Sequence, residues 1–142
     1  MALSRIILCG RSTQIGSVVV AGLKPEVEVI HFVMSAEAGK AEIPAILRGE
    51  SVSPTNEYGT HDYSKTPDAV VLGGGYDEQD ISTMRAACQG VKNNIPWLRP
   101  DMTKPTPPLG PEYGKAMVQR VKVALAELRE KETPSEDGIE WF

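Results

Sequence analysis

Apolar and polar positions along the chain fall into blocks, and the blocks predict strands and helices in alternation. Arg5 to Cys9 is a short apolar run closed by Gly10, the mark of a buried strand. Ile15, Val18, Val19, Gly22 and Leu23 then recur at helical spacing, with Ser12 or Thr13 as cap and Pro25 as stop. Val27 to Met34 predicts a second strand. Strict alternation puts Val27, Val29, His31 and Val33 on one face and Glu28, Ile30, Phe32 and Met34 on the other. Both faces are largely apolar, as for a parallel strand covered on both sides. His31 on such a strand reads as a hydrogen-bonded core residue.

Ser35 to Lys40 reads as a loop of small residues, followed by a short helix with Pro44 in its first turn and Gly49 past its end. Ser51 to Pro67 reads as a long polar loop, a functional or mobile one on length grounds. Asp68 to Leu72 is a third strand, followed by Gly73-Gly74-Gly75. Asp77 or Asp80 caps a helix bearing Ile81, Met84, Ala87 and Cys88, which Gly90 ends. Ile95 to Leu98 is a fourth strand. Residues 99–111 carry five prolines and form an irregular loop. Pro111 opens the longest helix, to about Glu132, with Met117, Val121, Ala124, Leu125 and Leu128 as its stripe. A polar turn, Thr133 to Gly138, precedes the apolar tail Ile139, Trp141 and Phe142. The tail is expected to dock on the domain or to sit in a subunit interface.

Strands alternating with helices imply an α/β domain. Its open parallel sheet has about four strands, right-handed crossovers and helices on both faces. A sheet that small needs cover, so a homodimer is expected. The 142 residues fit one domain, 1–142. A net charge of −4 and the lack of any basic run exclude a nucleic-acid or anionic-membrane surface. No apolar run is long enough to cross a bilayer, and a cytoplasmic location follows as the expectation. Cys9 and Cys88 show neither a disulfide framework nor a zinc spacing, so no metal is expected.

Ligands of open parallel sheets bind outside the carboxyl ends of the strands. Three loops should meet there. The first is Gly10-Arg11-Ser12-Thr13-Gln14-Ile15-Gly16, whose free N–H groups at a helix start suit a phosphate or carboxylate. The second is Gly73-Gly74-Gly75-Tyr76-Asp77, where a ligand can approach the backbone closely. The third is Trp97-Leu98-Arg99-Pro100-Asp101. There Arg99 could pair with an anion, and Asp101 could orient it or act as a base. Arg99, Asp101 and Tyr76 are the candidate catalytic groups. His61, Asp62 and Tyr63 of the long loop could do acid–base work if that loop wraps round to the site.

The first turn, Gly10-x-x-Thr13-x-x-Gly16, resembles the G-x-x-G-x-x-G turn of Rossmann-like NAD(P)-binding proteins of the NmrA-like and short-chain dehydrogenase type. The resemblance covers roughly the first 40 residues, and Thr13 stands where the middle glycine lies. It implies a Rossmann-like or flavodoxin-like three-layer fold binding a dinucleotide through Gly10 to Gly16, with Gly73 to Gly75 as a second approach. Arg11, and the lack of an acid in Phe32-Val33-Met34-Ser35, favour NADP over NAD. The Tyr-x-x-x-Lys pair of the dehydrogenases is absent. Overall the chain also looks like small fungal proteins of unassigned function.

Three readings follow. The first is a small protein binding a phosphorylated or anionic molecule, NADP(H) among them. The second is a cofactor-free isomerase, cyclase or lyase acting on a small organic acid through His61 or Asp101. The third is a non-catalytic binding or assembly protein.

Overall fold

The computed structural model describes residues 4–91, 95–131 and 137–142. Along the chain it forms β1 (Ser4–Cys9), α1 (Thr13–Leu23), β2 (Val27–Val33), α2 (Ala36–Leu47) and β3 (Ala69–Leu72). Then come α3 (Glu78–Ala87), β4 (Trp97–Arg99), α4 (Pro111–Glu130) and β5 (Ile139–Trp141). The strands make one parallel sheet in the order β2-β1-β3-β4-β5. Successive connections run outward in one direction from β1 and in the other from β3, so the winding reverses between these two strands.

Five strands replace the four expected. The apolar tail is the fifth, paired with β4 through Ile139, Glu140 and Trp141. Three residues are too few to show a period of two, so the pattern alone could not separate a strand from a docked tail. The expected helix end at Glu132 and most of the polar turn from Thr133 lie outside the described residues.

Each helix start carries its chemical reason. Ser12 caps α1 by accepting from the Ile15 N–H, and Ser35 caps α2 by accepting from Ala38. Asp77 and Asp80 act together on α3 as a reciprocal capping box. Pro111 opens α4, where its missing N–H costs nothing. The Ser35 cap corrects one expectation. Helix α2 begins within the supposed small-residue loop, and Pro44 falls in its last turn rather than its first. Gly39 is tolerated mid-helix because Met84 of α3 packs where its Cβ would stand.

The core has two layers. Helices α1 and α4 cover one sheet face, burying Val19, Leu23, Met117, Val118 and Val121 against Ile6, Leu8 and Val71. Helices α2 and α3 cover the other, burying Ile43, Ile46, Ile81 and Met84 against Ile7, Cys9 and Val70.

The alternation expected for β2 is broken. Ile6 pairs with Val29 but Ile7 pairs with His31, so Ile30 is an extra residue in a bulge. Beyond the bulge the faces exchange. Phe32 joins Val27 and Val29 on the α1/α4 side, while Ile30 and Val33 lie on the α2/α3 side. The Phe32 ring fills the space beneath the turn into α1. A Cβ on Gly16 would stand 2.6 Å from Phe32 Cζ, and one on Gly10 would stand 3.1 Å from the same ring.

His31 is buried and fully engaged, as the core reading expects. Its Nε2 lies 2.5 Å from Glu42 Oε1 of α2, and its Nδ1 lies 2.8 Å from the Tyr63 hydroxyl. The ring is thus tied to a carboxylate on one side and a phenol on the other. The stretch from Ser51 to Pro67 wraps the outer edge of β2. Asn56 donates to the Phe32 carbonyl at the upper end, and Thr60 and His61 donate to Val29 and Ile30. Gly59, at φ +91°, allows this approach: a Cβ there would lie 3.1 Å from the His31 backbone nitrogen. Below, Arg5 holds the Asp62 carbonyl at 2.6 Å. The loop thus covers the polar edge of the sheet.

The Gly16–Phe32 contact sets a stability test. A helical glycine replaced by alanine gains up to ~1 kcal/mol where space is free. Overpacking costs about 1–3 kcal/mol. Gly16→Ala is therefore expected to lower the thermal midpoint by several degrees. Adding Phe32→Leu should cost less than the sum of the two single changes. A midpoint raised by Gly16→Ala would show that the ring does not occupy that space.

Candidate functional site

A cleft of about 690 Å³ opens at the carboxyl ends of β1 and β3, where the winding reverses. The turn from β1 into α1 forms one side and the glycine triplet after β3 the other. Behind them the cleft runs between the sheet and the α1/α4 pair, over Leu8, Val19, Val71, Met117 and Val121. The proline-rich segment forms the outer wall with Met102 and residues 106–109. Tyr113, in the first turn of α4, stands at the mouth. The lining is predominantly apolar, and the volume lies within the range of small-molecule sites.

Of the expected binding residues, the structure brings together Gly10, Arg11, Ser12, Ile15 and Gly16 with Gly73, Gly74 and Gly75. Thr13 and Gln14 belong to the same turn, are exposed and do not line the cleft. The glycines make room chiefly for protein atoms. Gly10 and Gly16 admit Phe32. A Cβ on Gly75 would lie 2.7 Å from Arg11 Cγ, and one on Gly73 would lie 3.2 Å from the Cys9 carbonyl oxygen. The Cβ position of Gly74 meets side chains of the cleft wall, the Tyr113 hydroxyl at 3.2 Å and Met102 Cε at 3.6 Å.

Arg11 is held within the protein. Its guanidinium meets Asp80 at 2.9 Å and lies 4.7 Å over the Tyr76 ring. The Asp77 backbone N–H, and then Arg11 itself, hold the Asp80 carboxyl below the usual carboxylate range.

The three candidate catalytic groups are spread around the cleft, and none lines it. Tyr76 is buried on the α2/α3 side. Its hydroxyl donates to the Gly10 and Val33 carbonyls at 3.2 and 3.1 Å, and burial pushes the phenol well above its usual range. Arg99 pairs with Glu78 at 2.5 Å and lies 4.6 Å over the Trp141 ring. The Asp101 carboxylate accepts from the Thr103 hydroxyl and N–H at 2.6 and 3.0 Å, which holds its carboxyl low. His61, Asp62 and Tyr63 lie along the β2 edge, and they do not line the cleft either. Among the described residues no three His, Cys, Asp or Glu side chains are grouped to hold a metal ion, and no helix is long and apolar enough to cross a membrane.

The sequence reading did not place Met102, Leu109 and Tyr113 at the site, and it gave Met117 only as a core residue of the last helix. The proline run marked a loop between a strand and a helix, and in a parallel sheet that connection lies at the carboxyl edge. Its apolar side chains were the available signal.

An open parallel sheet wound in both directions, with a cleft at the reversal, defines a doubly wound α/β protein. No family model matches the chain, and no solved structure matches it significantly. Kojic acid related protein 6 of Aspergillus oryzae is 43% identical over 127 residues, covering 87% of this chain and 76% of that protein. The chain belongs to the family of that fungal protein.

The Tyr76 hydroxyl, shared between the Gly10 and Val33 carbonyls, ties the first turn to the end of β2. Tyr76→Phe is expected to cost about 1 kcal/mol, because the Gly10 and Val33 carbonyls lose the phenol donor while the Val33 oxygen keeps the Gly10 N–H. Chemical denaturation reads this as a lower midpoint at an unchanged slope. An unchanged midpoint would mean that water serves those carbonyls equally well.

Proposed function

We propose that this protein binds a small organic molecule in the cleft between β1 and β3. The turn from Gly10 to Gly16 and the triplet from Gly73 to Gly75 frame its mouth, and the apolar floor holds its body. The observation that carries the reading is the coincidence of one continuous cleft with the reversal of winding, where ligands of this architecture bind. Eight of the residues expected to bind stand on its wall. The proposal assigns no proton transfer to Tyr76, Arg99 or Asp101, each of which is engaged elsewhere.

Two candidate ligands deserve direct trial. The resemblance of the first turn supplies NADP(H). The name of the Aspergillus relative supplies kojic acid.

The test is the thermal midpoint against NADP+, NADPH, NAD+, AMP, coenzyme A, inorganic phosphate, kojic acid and a set of neutral ring compounds. A true ligand at ~100 times its dissociation constant stabilises the folded state by about 2.7 kcal/mol, a shift of several degrees. The variant Gly74→Leu fills the mouth from an exposed position without positive φ, so it should keep the fold and lose the shift. Equal shifts in both proteins would place the ligand elsewhere. A silent panel would remove the small-molecule reading.

A further inference from the structure

We propose that the cleft takes a neutral, largely apolar compound carrying a hydrogen-bonding oxygen, which the Tyr113 hydroxyl recognises. This rests on the small-molecule reading of the cleft and narrows its ligand.

Charge argues first. Arg11 is the one charged side chain among the lining residues. Its guanidinium is matched by the Asp80 carboxylate at 2.9 Å. A phosphate at the mouth would have to displace that carboxylate or sit beside it. Space argues second. A pyrophosphate cradle needs the volume that glycines leave open, and here Phe32 fills it at Gly10 and Gly16 and Arg11 fills it at Gly75. At Gly74 the neighbours are side chains of the cleft wall, the Tyr113 hydroxyl at 3.2 Å and Met102 Cε at 3.6 Å from the Cβ position.

Apolar surface argues third. Met102 and Leu109 are 70% and 77% exposed, and both stand on the cleft wall. An apolar ligand would take that surface out of water. The polar contact falls to Tyr113. No described protein group hydrogen-bonds its hydroxyl, which sits at the mouth beside Gly74. A phenol offers both a donor and an acceptor, which suits a hydroxyl or carbonyl oxygen.

Three probes with one ring system separate these arguments: 2-naphthol, 2-naphthyl phosphate and naphthalene, titrated at pH 7 by calorimetry or ligand-observed NMR. Saturable binding of 2-naphthol is expected, with the phosphate at least about tenfold weaker. Tyr113→Phe should weaken 2-naphthol by about fivefold, the worth of one hydrogen bond, and leave naphthalene unchanged. Met102→Asp, an exposed change with no role in the core, should weaken 2-naphthol and naphthalene together.

Equal or tighter binding of the phosphate would overturn the neutral class while leaving the small-molecule reading intact. Unchanged 2-naphthol affinity in Tyr113→Phe would remove the hydroxyl from recognition, and in Met102→Asp it would remove the proline-rich wall. No binding of 2-naphthol to the native protein would overturn the inference. If the wider ligand panel were also silent, the reading beneath it would fall as well.

Discussion

The packing of the Phe32 ring beneath the first turn is the contact on which the rest of the structure depends. The bulge at Ile30 turns Phe32 to the α1/α4 side. Gly10 and Gly16 give the ring its room. Because neither carries a Cβ, α1 can lie close to β1 and β2. That closeness fixes where the helix starts and how its apolar stripe meets α4. The Tyr58 ring, 5.7 Å from Phe32 edge to face, extends the same cluster to the long loop. Helix, strand and loop thus meet on one aromatic ring.

This arrangement changes what the glycines mean. In a dinucleotide cradle, missing side chains leave space for phosphate. Here most of that space belongs to the protein, and Arg11 turns aside to Asp80 and Tyr76. The cleft lies where the winding reverses, because the turns leaving β1 and β3 lead to helices on opposite faces of the sheet. Its floor is the core itself, exposed where the sheet ends. Its outer wall is a proline-rich segment that cannot fold over it as a helix or strand. The result is an apolar cavity with few polar groups at the mouth, the form in which small sites combine affinity with selectivity.

Much of the architecture was legible in the residues. Apolar blocks of strand and helix length gave the alternation; of the cap pairs Ser12 or Thr13 and Asp77 or Asp80 the structure uses Ser12 and Asp77, and Pro111 opens the last helix as expected. The reversal point follows from strand order, which periodicity does not encode. The bulge was hidden because both faces of β2 are apolar, so a slip of one residue leaves the pattern intact. The fifth strand was hidden by its length. At the site, the two glycine turns were found because backbone geometry restricts residue choice there. Arg99, Asp101 and Tyr76 were chosen for their chemistry, and sequence could not show that Glu78, Thr103 and two backbone carbonyls already engage them. Tyr113 went unmarked because its role depends on a neighbour, Gly74, distant in the chain.

The most direct measurement is the set of intermolecular NOEs between bound 2-naphthol and the methyl groups of the protein. Contacts to Val19, Val71, Met102, Leu109 and Met117 are expected, since these methyls face the cleft. Contacts confined to Ile43 and Met84 on the opposite face, or to the exposed Val123, would contradict the account.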